Sequence, residues 1–327
     1  MLSICVPIYN EEESIPVLYE KVKEVLDKLN REWEIILIND GSTDNSAQIL
    51  DQLAEKDAMV KVIHFRRNYG QTAAMMAGIN YASGDVIIPI DADLQNDPED
   101  IPNLLAKLDE GYDVCSGWRK KRKDNALRRN LPSRIANWLI SRISGVKLHD
   151  YGCSLKAYKK DVIKGIKLYG EMHRFIPIYA RWHGAKVTEI PVAHHPRKFG
   201  QSKYGLERIL KVVLDLAVVK FLDRYAQKPM YVFGGIGMIS FLLSALAAGW
   251  ALYLKFYENT TLIQTPLPLM CIFTALTGIM CLLMGLLAEL IMRTYHESQE
   301  KDVYLVKETR NFKNDAHNSQ IIPARNY

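Results

Sequence analysis

Two acidic side chains stand two residues apart at Asp91-Ala92-Asp93. They follow Asp85–Ile90, an apolar, β-branched run that reads as a buried strand. Where a strand gives way to a turn, carboxylates at i and i+2 can converge on one cation. Hard divalent cations take oxygen ligands, and Mg2+ is commonly held by one or two carboxylates together with substrate phosphates. A cation held so would neutralise charge on a departing diphosphate. Gln95 and Asp97 are near enough in sequence to join it. A bare pair of this kind also serves as a strand-end cap or a solvated acidic turn, so its placement after a buried strand is what gives it weight.

Other polar clusters close other apolar runs. Pro7-Ile8-Tyr9-Asn10-Glu11 ends Leu2–Ile8, where Tyr9 offers a ring for a base and Glu11 an acceptor for ribose or base N–H and O–H groups. Asp40 follows Trp33–Ile38, and Gly41 beside it permits close approach. Asn68, Gly70 and Gln71 precede a helix and could offer backbone donors. Each cluster alone reads as a turn with a helix cap.

The elements that must position these residues alternate regularly. Strands are expected at Leu2–Ile8, Trp33–Ile38, Val60–Phe65, Asp85–Ile90 and Asp113–Gly117. Helices are expected at Ser14–Leu29, Asp44–Lys56, Thr72–Ala82 and Pro98–Glu110. This alternation predicts an α/β domain with a parallel sheet and helices on both faces. Ligands in such sheets bind outside the carboxyl ends of the strands, and the polar clusters fall there.

Val6–Glu11, Asn39–Asp44, Arg67–Gln71 and Asp91-Ala92-Asp93-Leu94-Gln95, in this order, resemble the successive signatures of the GT-A, family 2 glycosyltransferases. The Asp-Ala-Asp-Leu-Gln form, with two apolar stretches near the C-terminus, is similar to the polyprenyl-phosphate branch of that family. That branch includes dolichyl-phosphate mannose synthases and bacterial undecaprenyl-phosphate glucosyltransferases. The resemblance implies a Rossmann-like, mostly parallel GT-A sheet. It implies that Pro7, Tyr9, Glu11 and Asp40 hold the nucleotide, with Ala92 lining its site. It also implies that Asp91, Asp93 and Gln95 hold Mg2+ or Mn2+. The Gln-x-x-Arg-Trp signature of processive polysaccharide synthases is absent.

Basic residues cluster at Arg119–Lys123 with Arg128 and Arg129, and again at Arg197, Lys198 and Lys203. Lys120, Lys121 and Lys123 read as solvated charge. Joining a diphosphate-sugar to a lipid phosphate brings two anions together, and arginine clamps phosphate bidentately. Arg119, Arg128, Arg197 and Lys203 take that role by resemblance. Asp150, in Asp150–Lys156, matches the acidic residue the family places near its acceptor. A phosphate monoester has a second pKa near roughly 6, so such an acceptor is already anionic at neutral pH. Asp150 is therefore expected to position groups without being an obligatory base. His194 and His195 are adjacent on an extended chain, point to opposite faces, and read as structural.

The net charge of +5 over 327 residues is too mild to indicate nucleic acid and suits an anionic membrane surface. The five cysteines include no CxxC pair, which argues against a disulfide framework or a zinc site. Residues 229–254 and 259–288 carry no charged side chain. A spanning helix needs roughly 20 apolar residues, so both are long enough. Amphipathic helices lying in the interface are expected at 133–144 and 203–222. Lys220, Arg224, Lys228, Arg293 and Lys301 flank the spans, which puts both chain ends in the cytoplasm.

The organisation expected is a catalytic domain over 1–228, a membrane hairpin over 229–292, and a mobile cytoplasmic tail over 293–327. The expected activity is inverting transfer of a hexose from a nucleotide-sugar, with UDP-glucose first and GDP-mannose as the alternative, to undecaprenyl phosphate. Membrane lipids are expected partners, self-association is open, and no nucleic acid is expected. A non-catalytic nucleotide- or lipid-binding module is the rival. A transporter component is disfavoured by charge-free spans.

Overall fold

In a computed structural model of the chain, residues 1–120, 137, 140–142, 144–164, 166, 172–196, 229–258, 261, 265–297 and 304–312 are described. The chain divides into two compact units. One comprises Met1–Leu216 with Asp302–Tyr327, and the other Ala217–Lys301.

The first unit is built on an eight-stranded sheet. In chain order its described elements are β1 (Leu2–Ile8), α1 (Ile15–Lys28), β2 (Trp33–Asn39), α2 (Ser46–Lys56), β3 (Val60–Phe65), α3 (Gln71–Tyr81) and β4 (Val86–Pro89). There follow α4 (Ile101–Asp109), β5 (Val114–Trp118), β6 (Lys156–Lys159), α5 (Ile176–Trp182), β7 (Val187–Pro191) and β8 (Val306–Arg310). The strand order is β7-β5-β6-β4-β1-β2-β3-β8. β1 and β2 lie at the centre and are buried along almost their whole length. Strands covered on both faces carry continuous apolar runs for that reason. α1 buries Ile15, Leu18, Val22, Val25 and Leu26, one stripe at helical spacing. α3 is buried nearly all round. A Cβ on Gly78 would meet Cys5 Cβ at 2.9 Å, so glycine lets this helix lie close against β1.

β1 to β4 pair parallel, as expected. β5 pairs parallel with β7 as well, so the sheet is mostly parallel, and only two strands run against it. β6 runs antiparallel to both β4 and β5, and β8 antiparallel to β3. β6 is four residues long with lysine at each end, so it carries little strand signal. The tail beyond residue 293, expected to be mobile, holds β8. Without β8 the edge of β3 would present unpaired backbone groups, and the tail satisfies them.

The second unit contains two long helices, α6 (Pro229–Tyr257) and α7 (Leu267–Glu297). They pack on each other, and Ser244 Oγ donates to the Cys271 carbonyl at 2.8 Å. Phe233–Tyr257 and Leu267–Ala288 are long and apolar enough to cross a membrane. Large apolar side chains such as Met238, Leu242, Leu246, Phe273 and Leu283 point outward. Trp250, Tyr253 and Tyr257 stack in succession near one end, as an interfacial aromatic belt does. The stretch 203–222, expected as an interfacial helix, and most of 133–144 lie outside the described residues.

Candidate active site

Because β1 to β4 are parallel, the loops at their carboxyl ends share one edge of the sheet. The first two are laced together. Asn10, in the left-handed region at φ 54°, donates its amide to Ser42 Oγ at 3.0 Å. Its Oδ1 accepts the Thr43 amide at 2.8 Å. The Glu11 amide donates to Ser46 Oγ at 3.0 Å, and the Glu11 carboxylate accepts from Ser14 Oγ at 3.0 Å. Pro7, Tyr9 and Glu11 are half-buried along this seam.

The β2 loop then meets the β3 loop. Gly41 has φ +68°, and a Cβ there would lie 2.4 Å from the Arg67 carbonyl carbon, so only glycine fits. Asp40 is buried, and its two carboxylate oxygens accept the amides of Tyr69 at 2.6 Å and Gly70 at 2.9 Å. Burial raises its pKa, and the two amides oppose that rise. The Gly70 amide, expected as a donor for a ligand, is thus engaged by Asp40. Gln71, the first residue of α3, contributes its side chain: Nε2 donates to Asp91 Oδ1 at 2.7 Å.

The segment after β4 alternates. Ala92, Leu94 and Asn96 are buried, whereas Asp91, Asp93 and Gln95 are half-buried. Leu94 holds φ +58°, an arrangement that costs a leucine about 1 kcal/mol or more. Burial of its side chain offsets that cost, and the Gln95 amide donates to Asp93 Oδ1 at 3.1 Å to close the turn. Burial pushes the Asp91 carboxyl up, and the neighbouring Asp93 charge pushes it further. Ser154, Arg119 and Lys156 act in the other direction. The segment is braced from behind. Asn96 Nδ2 donates to Ser154 Oγ at 2.6 Å, and the His195 amide to the Gln95 carbonyl at 2.9 Å. Asp97 pairs with His195 Nε2 at 2.7 Å and accepts the Glu99 amide, which ties it to the brace behind the turn. His194 is buried while His195 is half exposed, so the two rings serve different surroundings.

Arg119 follows β5. Its Nε and Nη2 reach the two carboxylate oxygens of Asp150 at 2.7 and 3.0 Å, a two-point ion pair. Asp150 also accepts the Gly152 amide at 3.0 Å. Burial works against the Arg119 charge, Asp150 outweighs it, and the net shift is upward. The Asp91 charge adds to that shift, so the Arg119–Asp150 pair lies within electrostatic reach of the Asp91–Asp93 turn. Arg128, Arg197 and Lys203 lie outside the described residues.

A buried layer that the sequence did not announce lies near these groups. Lys156 Nζ donates to the carbonyls of Tyr151, at 3.2 Å, and Cys153. Burial lowers its pKa to about 8. His173 Nδ1 lies 2.7 Å from Thr72 Oγ1, and burial, with Arg174 and Lys156, keeps the ring neutral. Lys156 closes the Asp150–Lys156 segment, but nothing in that segment signals its burial, and the distant His173 leaves no motif. The Gln71 contact with Asp91 was half legible, since Gln71 closes one of the four signatures.

A half-buried carboxylate whose ionisation burial and a neighbouring carboxylate make costlier fits a divalent cation, which would offset both charges. Among the described residues no group of three or more His, Cys, Asp or Glu converges on one point. The Asp91 and Asp93 carboxylates would suit a metal completed by substrate phosphates.

Residues 3–166 match the family model described as glycosyl transferase family 2. The chain is 42% identical over 314 residues to a dodecaprenyl-phosphate galacturonate synthase of Rhizobium johnstonii, covering 94% of this chain and 92% of that protein. It is 39% identical over 308 residues to an undecaprenyl-phosphate 4-deoxy-4-formamido-L-arabinose transferase of Shewanella sediminis, with 94% and 92% covered. Among solved structures it is similar to glucosyl-3-phosphoglycerate synthase from Mycobacterium tuberculosis in complex with Mn2+, uridine diphosphate and phosphoglyceric acid. The TM-score is 0.52 at 17% identity, over 68% of this chain and 78% of that one, a likeness of fold.

Proposed function

This chain is an enzyme of glycosyltransferase family 2, and on that premise we propose that it moves one sugar from a UDP-sugar to a polyprenyl phosphate at a membrane surface. The observation that carries the reading is the acidic turn Asp91–Asp93, whose neighbour Asn96 is tied to Ser154 of the segment that carries Asp150, the partner of Arg119. One group suits a metal on a diphosphate and the other an incoming anion. The two candidate spans and the polyprenyl-phosphate substrates in the names of the relatives support the lipid acceptor.

Pro7, Tyr9, Glu11 and Asp40 border the nucleotide, with Ala92 beneath it. Asp91, Asp93 and Gln95 would hold Mg2+ or Mn2+, which when bound neutralises charge on the leaving diphosphate. The acceptor phosphate oxygen attacks the anomeric carbon. A new C–O bond forms, the bond to the UDP oxygen breaks, and the configuration inverts. Arg119, aimed by Asp150, offsets the repulsion between acceptor and donor phosphates. Arg128, Arg197 and Lys203 share that task on the acceptor side. The acceptor is already ionised, so Asp150 need take no proton. α6 and α7 anchor the enzyme as a two-span hairpin with both termini and the catalytic unit in the cytoplasm, in keeping with the basic flanks.

UDP-glucose was the donor expected from the sequence. The relatives move first place to a UDP-linked uronate or formamido-pentose. The test is incubation of the purified full chain with MgCl2 or MnCl2, undecaprenyl phosphate and radiolabelled UDP-glucose, UDP-galacturonate, UDP-4-deoxy-4-formamido-L-arabinose or GDP-mannose. Lipid-soluble label from one UDP-sugar, lost in Asp91→Ala, is the expected result. Label from none, with the lipid bound, would leave the catalytic reading without support.

A further inference from the structure

The C-terminal strand does more than cover an edge. β8 pairs with β3 in the register Ile63↔Thr309, His64↔Glu308 and Phe65↔Val306. The pairing continues past the end of β3, where the Arg66 amide donates to the Leu305 carbonyl at 3.1 Å. That is the start of the loop whose amides engage Asp40. One residue earlier, Tyr304 is only 3% exposed. Its ring stacks on Phe65 with centroids 5.0 Å apart and planes at 16°. Its hydroxyl accepts from Asn80 Nδ2 of α3 at 3.0 Å. Phe65 in turn meets Tyr69 edge-on at 5.7 Å, and Arg67 lies over the Tyr69 ring at 4.8 Å. The Tyr69 and Gly70 amides are the two that Asp40 accepts, and the next side chain, Gln71, donates to Asp91.

One continuous set of contacts therefore runs from the tail to both acidic groups on the donor side. Tyr304 grips the Arg66–Gln71 loop at its stem through Phe65, and α3 through Asn80. A loop fixed at both ends keeps the Tyr69 and Gly70 amides aimed at Asp40 and the Gln71 amide group aimed at Asp91. We propose that Tyr304, with β8, is a positioning element for nucleotide-sugar binding, so that the segment following the membrane hairpin completes the donor side of the site. This deepens the reading given above and rests on it for the identity of the ligand. Tyr304 touches no reacting atom; it acts through the loop. The stacked pair adds a directional contact beyond its buried area, enough to bias a short loop.

The experiment uses the full chain in detergent. Hydrogen exchange is followed at residues 66–71, and binding of UDP with MnCl2 is measured by titration calorimetry. Tyr304→Ala is expected to speed exchange at Tyr69 and Gly70 more than in β1 and β2, and to weaken UDP binding about tenfold. In turnover, the donor KM rises while kcat stays within about twofold and the KM for undecaprenyl phosphate is unchanged. Tyr304→Phe keeps the stack and removes the hydroxyl that accepts from Asn80, so it recovers most of the affinity. Exchange at Tyr69 and Gly70 that stays as in the wild type, or that rises evenly through the sheet, overturns the proposal. So does a loss shared equally by donor KM, acceptor KM and kcat. A wild-type protein that does not bind UDP would instead count against the donor reading, and the exchange measurement would still decide the role of Tyr304.

Discussion

Asp40 and Asp150 are two buried aspartates at the rim of one sheet, 3% and 2% exposed, yet they are held in opposite ways. Asp40 accepts two backbone amides, and burial leaves its pKa raised. Asp150 faces the Arg119 guanidinium at two points and also accepts the amides of Arg119 and Gly152. Neutral donors fix geometry, so the first arrangement shapes a loop. A full countercharge fixes electrostatic balance, so the second holds a cation in place without leaving it exposed. On the proposed reading the donor side is built by backbone fit and the acceptor side by charge pairing, and substitutions should tell the two apart.

The largest effect is expected at Arg119. Arg119→Ala leaves Asp150 buried without its partner, a change that typically costs about 3–5 kcal/mol. Thermal unfolding should show it, and turnover should fall at least about a hundredfold through loss of charge at the acceptor. The double variant Arg119→Leu with Asp150→Leu should regain much of the stability and none of the activity. A single variant as stable as the wild type would break the contrast.

Asp150→Asn comes next. The shape is kept and the charge removed, so Arg119 is aimed less firmly. Turnover is expected to drop about tenfold, with the pH–rate profile keeping its form. If Asp150→Asn abolished turnover while donor and acceptor binding stayed intact, Asp150 would be a base and the positioning role would be wrong.

Asp40→Asn is expected to act on donor binding. An amide offers one acceptor oxygen where the carboxylate offers two, so one of the Tyr69 and Gly70 amides loses its partner at about 1–3 kcal/mol. The donor KM should rise with little change in kcat. Its pH signature also has a definite sign. The folded pKa of Asp40 is raised above the ordinary 3.8, so its titration contributes stability below that pH. That contribution is lost as pH rises through the folded value. The stability gap between wild type and Asp40→Asn should therefore change through the acid range.

The contrast also explains how much could be read in advance. The side proposed for the donor lies on β1 to β4, where β-branched runs end in short polar turns, and the structure puts Pro7, Tyr9, Glu11, Asp40, Asp91 and Asp93 at those strand ends. The turn at Asp93 could be seen as a motif, but the left-handed Leu94 that shapes it could not, because leucine gives no local cue for φ +58°. The acceptor side depends on contacts between distant positions: Arg119 with Asp150, Asn96 with Ser154, His173 with Thr72. No short window contains both partners. β6 and β8 escaped for the same reason, since Lys156–Lys159 and Val306–Arg310 become strands only because β4, β5 and β3 have edges to satisfy.

A third buried carboxylate provides the control, with the smallest effect on activity. Glu34 is near the start of β2, while Asp40 follows its end, so roughly 20 Å of strand separates them. Burial pushes its pKa up, but Lys61, Ser3 and the Ser83 amide outweigh that, and the net shift is downward from 4.5. Its ionised form thus contributes stability above about pH 4.5, and this is lost as pH falls through the folded value. Glu34→Gln should lower the melting temperature at neutral pH by an amount worth about 1–3 kcal/mol. The gap to wild type should narrow on acidification as Glu34 takes up its proton. Turnover per folded molecule and the donor KM should not move. If they did, a buried carboxylate would disturb the site from anywhere in the sheet, and the distinct roles of Asp40 and Asp150 could not be read from their partners.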